Sequence, residues 1–249
     1  MTRETLILVG RAATETVAER HAERLREDGP VAAVRTATYE SEPALELSPA
    51  DDGADRTYVV PLCFAHTYET LKDVPRALSR LEGDVRYCDP VGGNPAVTAA
   101  LRERARAASD AEALLLVGLG NSGTDHGREA ADYHADRLRR AFDEVRTAYL
   151  LQSPAVECAR YAIGADRAVV CPLFVADCDA TERRIPEQLE LDRGGLDYAA
   201  PLGDAPAVTE AIRAEVERER VLAESGASGA VPEGENGPRP VATDGRGDG

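Results

Sequence analysis

The sequence predicts an α/β protein made of two homologous, doubly wound parallel-sheet domains with a cleft between them. Three observations carry that prediction. The chain repeats itself at a domain-sized interval. Short apolar runs alternate with helix-length amphipathic segments. The strand-like runs also lack the in-out alternation of a half-solvated sheet, which suits a sheet covered on both faces. The repeat is explicit. Arg56, Pro61, Leu62, Ala65, Thr70 and Pro75 recur at one constant offset as Arg167, Pro172, Leu173, Ala176, Thr181 and Pro186. The same offset relates Val34-Arg35-Thr36-Ala37 to Val145-Arg146-Thr147-Ala148. It also relates Tyr87, Pro90, Gly92 and Pro95-Ala96-Val97-Thr98 to Tyr198, Pro201, Gly203 and Pro206-Ala207-Val208-Thr209. A unit this long is a domain, not a solenoid repeat.

Each element follows in order. Residues 5–10 are a short apolar strand ending in glycine. Residues 15–27 carry apolar side chains at helical spacing and stop at Asp28-Gly29-Pro30. Residues 31–38 and 57–62 read as strands, 67–81 as a helix, 85–89 as a strand and 96–107 as a helix. A link at 108–112 leads into the second half, with strands 113–118, 145–151, 168–174 and 196–199. Its helices are 128–141, 155–163, 181–189 and 207–224. Strands separated by helix-length segments imply right-handed parallel crossovers. The halves differ at residues 40–55, an acidic Pro- and Gly-containing loop in the first half. The domains are therefore 1–110 and 111–224. Residues 225–249, poor in large apolar side chains, read as a disordered acidic tail.

Composition excludes several roles. With 29 basic and 45 acidic residues among 249, the net charge is −16, which repels nucleic acid and anionic membranes. Lys72 is the only lysine, and the acidic excess suggests adaptation to salt. No apolar run is long enough to span a membrane, and the N-terminus reads as a buried strand, not a signal peptide. Five cysteines without a C-x-x-C pair suit small buried hydrophobes in a reducing cytoplasm.

Ligands of parallel sheets bind beyond the carboxyl ends of the strands, and candidate residues lie there. His66 and Glu69, at i, i+3, could bind a divalent metal or act as general base. The plainer alternative is a solvated helix start with Glu69 near the positive dipole end. Arg11, directly after Gly10, suits a carboxylate or phosphate partner, or else a surface ion pair. Gly118 and Gly120 form a Gly-rich turn able to aim N–H groups at an anion, although its spacing fits neither common nucleotide-binding motif. Asp125-His126 and Asp177-Cys178-Asp179 could touch a metal, but a polar loop and ordinary helix capping are the readings the sequence favours for both. His21 and His134 occupy matching helical positions and read as partly buried helix residues.

The strand-Gly start, the V-V-P-L run with its later T-x-x-D-V-P, and the D-P-x-G-x-x-P-A-V close resemble the class II chelatases. The nearest resemblance is to two-domain CbiX/SirB sirohydrochlorin chelatases, over residues 6–217. The resemblance implies insertion of Co²⁺ or Fe²⁺ into a sirohydrochlorin-type tetrapyrrole, in cobalamin or siroheme biosynthesis. The metal would be a substrate, with no permanently bound cofactor. It also implies two histidines that bind metal and take pyrrole protons. Here Arg11 stands at the first histidine's position, with Ala13 at the following serine's, and Glu69 stands at the second's. Asp73 and Pro75 match the pattern. The second half holds Leu119 and Ala180 at the histidine positions, and Arg184 in place of the aspartate. Two expectations follow. One is a chelatase whose catalytic and metal-handling groups are His66 and Glu69, with Arg11, Gly10, Gly118 and Gly120 binding the macrocycle. The other is a degenerate paralogue that binds tetrapyrrole or metal as a carrier or accessory protein, without turnover. On either reading a homo-oligomer or an association with a bona fide chelatase is expected.

Overall fold

The computed structural model describes residues 3–41, 43, 54–81, 83–121 and 123–225. Most of the 40–55 segment, Ser122 and nearly all of the predicted tail lie outside the described residues. Eight strands form two four-stranded sheets, parallel throughout. In the first, β1 (Glu4–Arg11), β2 (Ala33–Tyr39), β3 (Arg56–Pro61) and β4 (Asp84–Tyr87) lie in the order β2-β1-β3-β4. The second repeats it, with β5 (Ala113–Gly118), β6 (Glu144–Tyr149), β7 (Ala168–Pro172) and β8 (Leu196–Tyr198) in the order β6-β5-β7-β8. Strand order reverses between β1 and β3, and again between β5 and β7. Crevices at such switch points receive ligands. Pro61 and Pro172 close the two inner strands without donating to the ladder. The next residues resume it, Leu62 N–H to Val9 O at 2.7 Å and Leu173 N–H to Val117 O at 2.8 Å.

The helices are α1 (Glu15–Asp28), α2 (Val74–Leu78), α3 (Ala96–Ala108), α4 (His126–Leu138), α5 (Val156–Ala162), α6 (Ile185–Gln188) and α7 (Pro206–Glu224). Helices α2 and α6 are each entered through a π-helical turn, Glu69–Asp73 and Ala180–Arg184. The sequence predicts ordinary α-helix over both stretches. The recurring prolines supply the reason: Pro75 and Pro186 lack an N–H and crowd the preceding turn, which widens to accept the ring. Thr70 fastens the entrance, accepting from Thr67 N–H at 2.8 Å and donating to Thr67 O at 3.1 Å. Thr181 does the same with Cys178 at 2.9 and 3.0 Å.

The packing does not follow the repeat boundary. Helix α3, from the first half, lies on β7 and β8. Helix α7, from the second, lies on β3, and the two helices pack on each other. One core therefore runs through both halves, joining Leu6, Leu8, Tyr58 and Val60 to Leu101, Leu116, Val169, Ile212 and Val216. Separate smaller clusters cover the outer sheet faces. Fully burying each such Val, Leu or Ile contributes roughly 1.5–3 kcal/mol. Either half alone would lose the helix that covers its inner face.

Candidate active-site cleft

Two buried histidines fix how the halves face each other. His21 of α1 contacts Thr209 Oγ1 of α7 through Nδ1 at 2.8 Å and Gly203 O through Nε2 at 3.1 Å. His134 of α4 contacts Thr98 Oγ1 of α3 at 2.7 Å and Gly92 O at 2.6 Å. The partners are themselves repeat equivalents, so each half reaches into the other with the same three groups. A carbonyl only accepts, so Nε2 carries the proton and Nδ1 accepts from the threonine hydroxyl. Both rings are neutral and fully buried. Burial pulls His21 down to about 4 and lowers His134 as well. Their helical positions alone predict only partial burial; the structure buries both fully because each bridges to the other half.

The carboxyl-end loops of the two sheets come together where the halves face each other. His66, after β3, lies 5.9 Å from His126 of α4, centroid to centroid, with the planes inclined at 64°. At Gly127 an added Cβ would stand 3.7 Å from the Cβ of Ala65, so the first turn of α4 rests on this loop. His66 Nδ1 is 3.2 Å from Thr70 Oγ1. On the other side of the ring, Nε2 faces the Asp89 carboxylate. Nε2 and Asp89 Oδ1 are 3.5 Å apart. Asp89 Oδ2 is held by Arg218 at 2.7 Å, and Arg218 in turn by Glu215 at 3.0 Å and Glu219 at 3.3 Å. The His66 ring, followed by the Arg218 charge, keeps the Asp89 carboxyl below the usual range despite partial burial.

Glu69 turns elsewhere. Its carboxylate pairs with the Arg11 guanidinium, which also donates to Glu40 O at 3.0 Å, and its other oxygen is 3.5 Å from the Tyr39 hydroxyl. The hydrogen bond to Glu69 raises Arg11 further, so the guanidinium stays charged. His66 and Glu69 were expected to project together from one helix. The π-helical turn spans Glu69–Asp73 and His66 lies in the loop before it, so the two side chains take different partners. The structure joins Arg11 to Glu69, and separately His66 to Asp89 and His126. Asp89 and His126 are the neighbours the sequence reading did not assign to His66. The closing D-P motif marked Asp89, and the Asp125-His126 pair was noted as a possible metal contact, but the juxtaposition itself is tertiary.

The glycines have packing reasons. A Cβ on Gly10 would stand 2.2 Å from Thr14 Oγ1, which donates to Arg11 O at 2.7 Å. One on Gly118 would press on the Tyr149 ring at 3.2 Å, and Gly120 has φ +76°. In the Gly-rich turn, Asn121 N–H is taken by Gln152 Oε1 at 2.9 Å and Gly123 N–H by Asn121 Oδ1 at 2.8 Å. Those two amides already have partners within the protein. Beside Asp177, Thr181 and Tyr198, at the matching rim of the second sheet, lies a shallow groove of about 450 Å³. Among the described residues no helix is long and apolar enough to cross a membrane.

Known proteins share this architecture. A curated relative from Halobacterium salinarum, a probable sirohydrochlorin cobaltochelatase, is 28% identical over 221 residues, covering 74% of this chain and 76% of that protein. The sirohydrochlorin chelatase SirB from Bacillus subtilis, solved in complex with cobalt, superposes with a TM-score of 0.68 at 18% identity, covering 90% of this chain and 97% of its own. A multi-domain protein from Deinococcus radiodurans with structural similarity to chelatases gives 0.67 at 22% identity, over 86% of this chain. The present chain spans only 55% of that protein's length. The profile of the CbiX family matches residues 9–108 and again residues 113–219, one match to each sheet. With both halves matched, the chain belongs to the CbiX family.

Proposed function

We propose that this protein is a chelatase that inserts a divalent metal, Co²⁺ or Fe²⁺, into a sirohydrochlorin-type tetrapyrrole on a route to cobalamin or siroheme. The observation that carries the proposal is the pair of imidazoles, His66 and His126, brought together at the carboxyl-end loops of two CbiX-matched halves. Insertion changes no oxidation state: one M²⁺ enters the ring and two pyrrole N–H protons leave. Those protons need an acceptor beside the macrocycle, and the His66 imidazole is placed to be one. Arg11 keeps an exposed edge and suits the carboxylate side chains of the macrocycle. A substrate carboxylate that takes over Arg11 releases Glu69 as a second proton acceptor. The metal is cargo, and the reaction needs no permanently bound cofactor. Five free cysteines suit a reducing cytoplasm.

The test is anaerobic absorbance of sirohydrochlorin with Co²⁺ and protein in high salt, with His66→Ala and Arg11→Ala alongside. Insertion faster than the uncatalysed rate is expected, lost in His66→Ala. In Arg11→Ala the half-saturating macrocycle concentration should rise about tenfold, the loss of one charge-assisted contact. A spectral shift on binding with no insertion by the native protein would refute the catalytic reading and indicate a carrier.

A further inference from the structure

The geometry points to a metal-receiving site shared by the two halves, in which His66 Nε2, Asp89 Oδ1 and His126 take up the incoming divalent ion before it passes to the macrocycle. This rests on the chelatase reading but differs from the positions where the family resemblance places its histidines. Those positions hold Arg11 and Glu69, which neutralise one another.

Three observations converge. First, His66 Nε2 and Asp89 Oδ1 are two atoms able to bind a metal, 3.5 Å apart. That is longer than an N–H···O bond, but close to the edge of a tetrahedron around a metal. Two ligands about 2.1 Å from one ion lie about 3.4 Å apart. Second, the carboxylate is anchored from behind. Arg218 holds Oδ2 and is itself gripped by Glu215 and Glu219, which leaves Oδ1 aimed at the imidazole. Third, the His126 ring lies near enough to His66 to reach the same ion after a change of side-chain rotamer. An imidazole centroid sits about 3.2 Å from a bound ion, so two rings on one ion lie at most about 6.4 Å apart. The observed separation is 5.9 Å.

Among the described residues no three His, Cys, Asp or Glu side chains yet converge on a common centre. The site completes itself when exposed His126, first residue of α4, swings its ring onto an ion already held by His66 and Asp89. An incomplete cage suits cargo: ligands that close on the ion can also let it go. Because the ligands come from both halves, the site depends on the His21 and His134 contacts that set the halves face to face.

The test uses Co²⁺ alone, with no tetrapyrrole, so its outcome is independent of whether insertion occurs. Visible absorbance and titration calorimetry of the whole chain should show one Co²⁺ per chain, with the intense bands of a low-coordinate site. His126→Ala, a change at an exposed position, should weaken binding at least tenfold and remove those bands, as should Asp89→Asn. Asp177→Asn, at the repeat equivalent of His66, should bind like the native protein. Native-like binding by folded His126→Ala would overturn the proposal. So would loss of binding in Glu69→Gln with His126→Ala unaffected, because the ion would then sit at the Arg11 pair. Insertion without His126 dependence would leave the chelatase reading standing and remove this one alone.

Discussion

Mild acid should weaken the protein through His21, by an amount the structure sets. Both ring nitrogens are committed to the other half, and the fully buried ring is held neutral. Its ordinary value of 6.5 falls to about 4 in the folded state because burial penalises the imidazolium. The unfolded chain thus binds a proton that the folded chain refuses. The stabilisation is complete above pH 6.5 and lost as pH falls toward the folded value. At about 1.4 kcal/mol per tenfold change, the loss is about 2 kcal/mol by pH 5 and about 3 kcal/mol by pH 4. His134 is shifted in the same direction and should add to it. The net charge of −16 complicates a simple comparison, because acidification also relieves repulsion among the carboxylates. The useful quantity is the difference between native protein and His21→Gln, whose amide cannot titrate. Urea unfolding in high salt at several pH values from 7 to 4 gives it. At pH 7 the variant should be less stable by roughly 1–2 kcal/mol, from poorer hydrogen bonds. Between pH 6.5 and 4 that gap should close and reverse. A gap that stays constant across the range would refute the buried neutral imidazole.

Two further outcomes follow from packing. Gly92→Ala should destabilise by about 3 kcal/mol or more, read from urea midpoints, because its Cβ would stand 1.8 Å from the backbone oxygen of Phe64 and displace the carbonyl that His134 grips. Native-like stability would show that this loop yields freely. Thiol alkylation followed by mass spectrometry should label exposed Cys158 first and buried Cys88 and Cys171 last, since burial pushes the Cys171 thiol up to about 12 and raises Cys88 also. Equal rates would indicate opening of the shared core.

The amino-acid sequence by itself determined the duplicated α/β architecture. Strand and helix existence is a local matter of apolar periodicity and stop residues, and β5 falls at residues 113–118 as read. The recurrence of Thr70…Pro75 as Thr181…Pro186 was visible too, although its consequence, a widened turn, depends on where the proline ring meets the preceding carbonyls. The sequence also singled out His66, Glu69, Arg11 and His126 as strand-end residues. Only the tertiary structure decided how they associate. Glu69 belongs to Arg11 because it lies in the π-helical turn while His66 lies in the loop before it. His66 belongs with Asp89 and His126 because β4 ends beside β3 and because α4 arrives from the other half. Likewise, the pattern of each repeat could not show that α3 and α7 cover each other's sheets, or that His21 and His134 close the interface. Apolar spacing states that a face must be buried and leaves open which partner buries it; that choice is made by contacts between residues far apart in the chain.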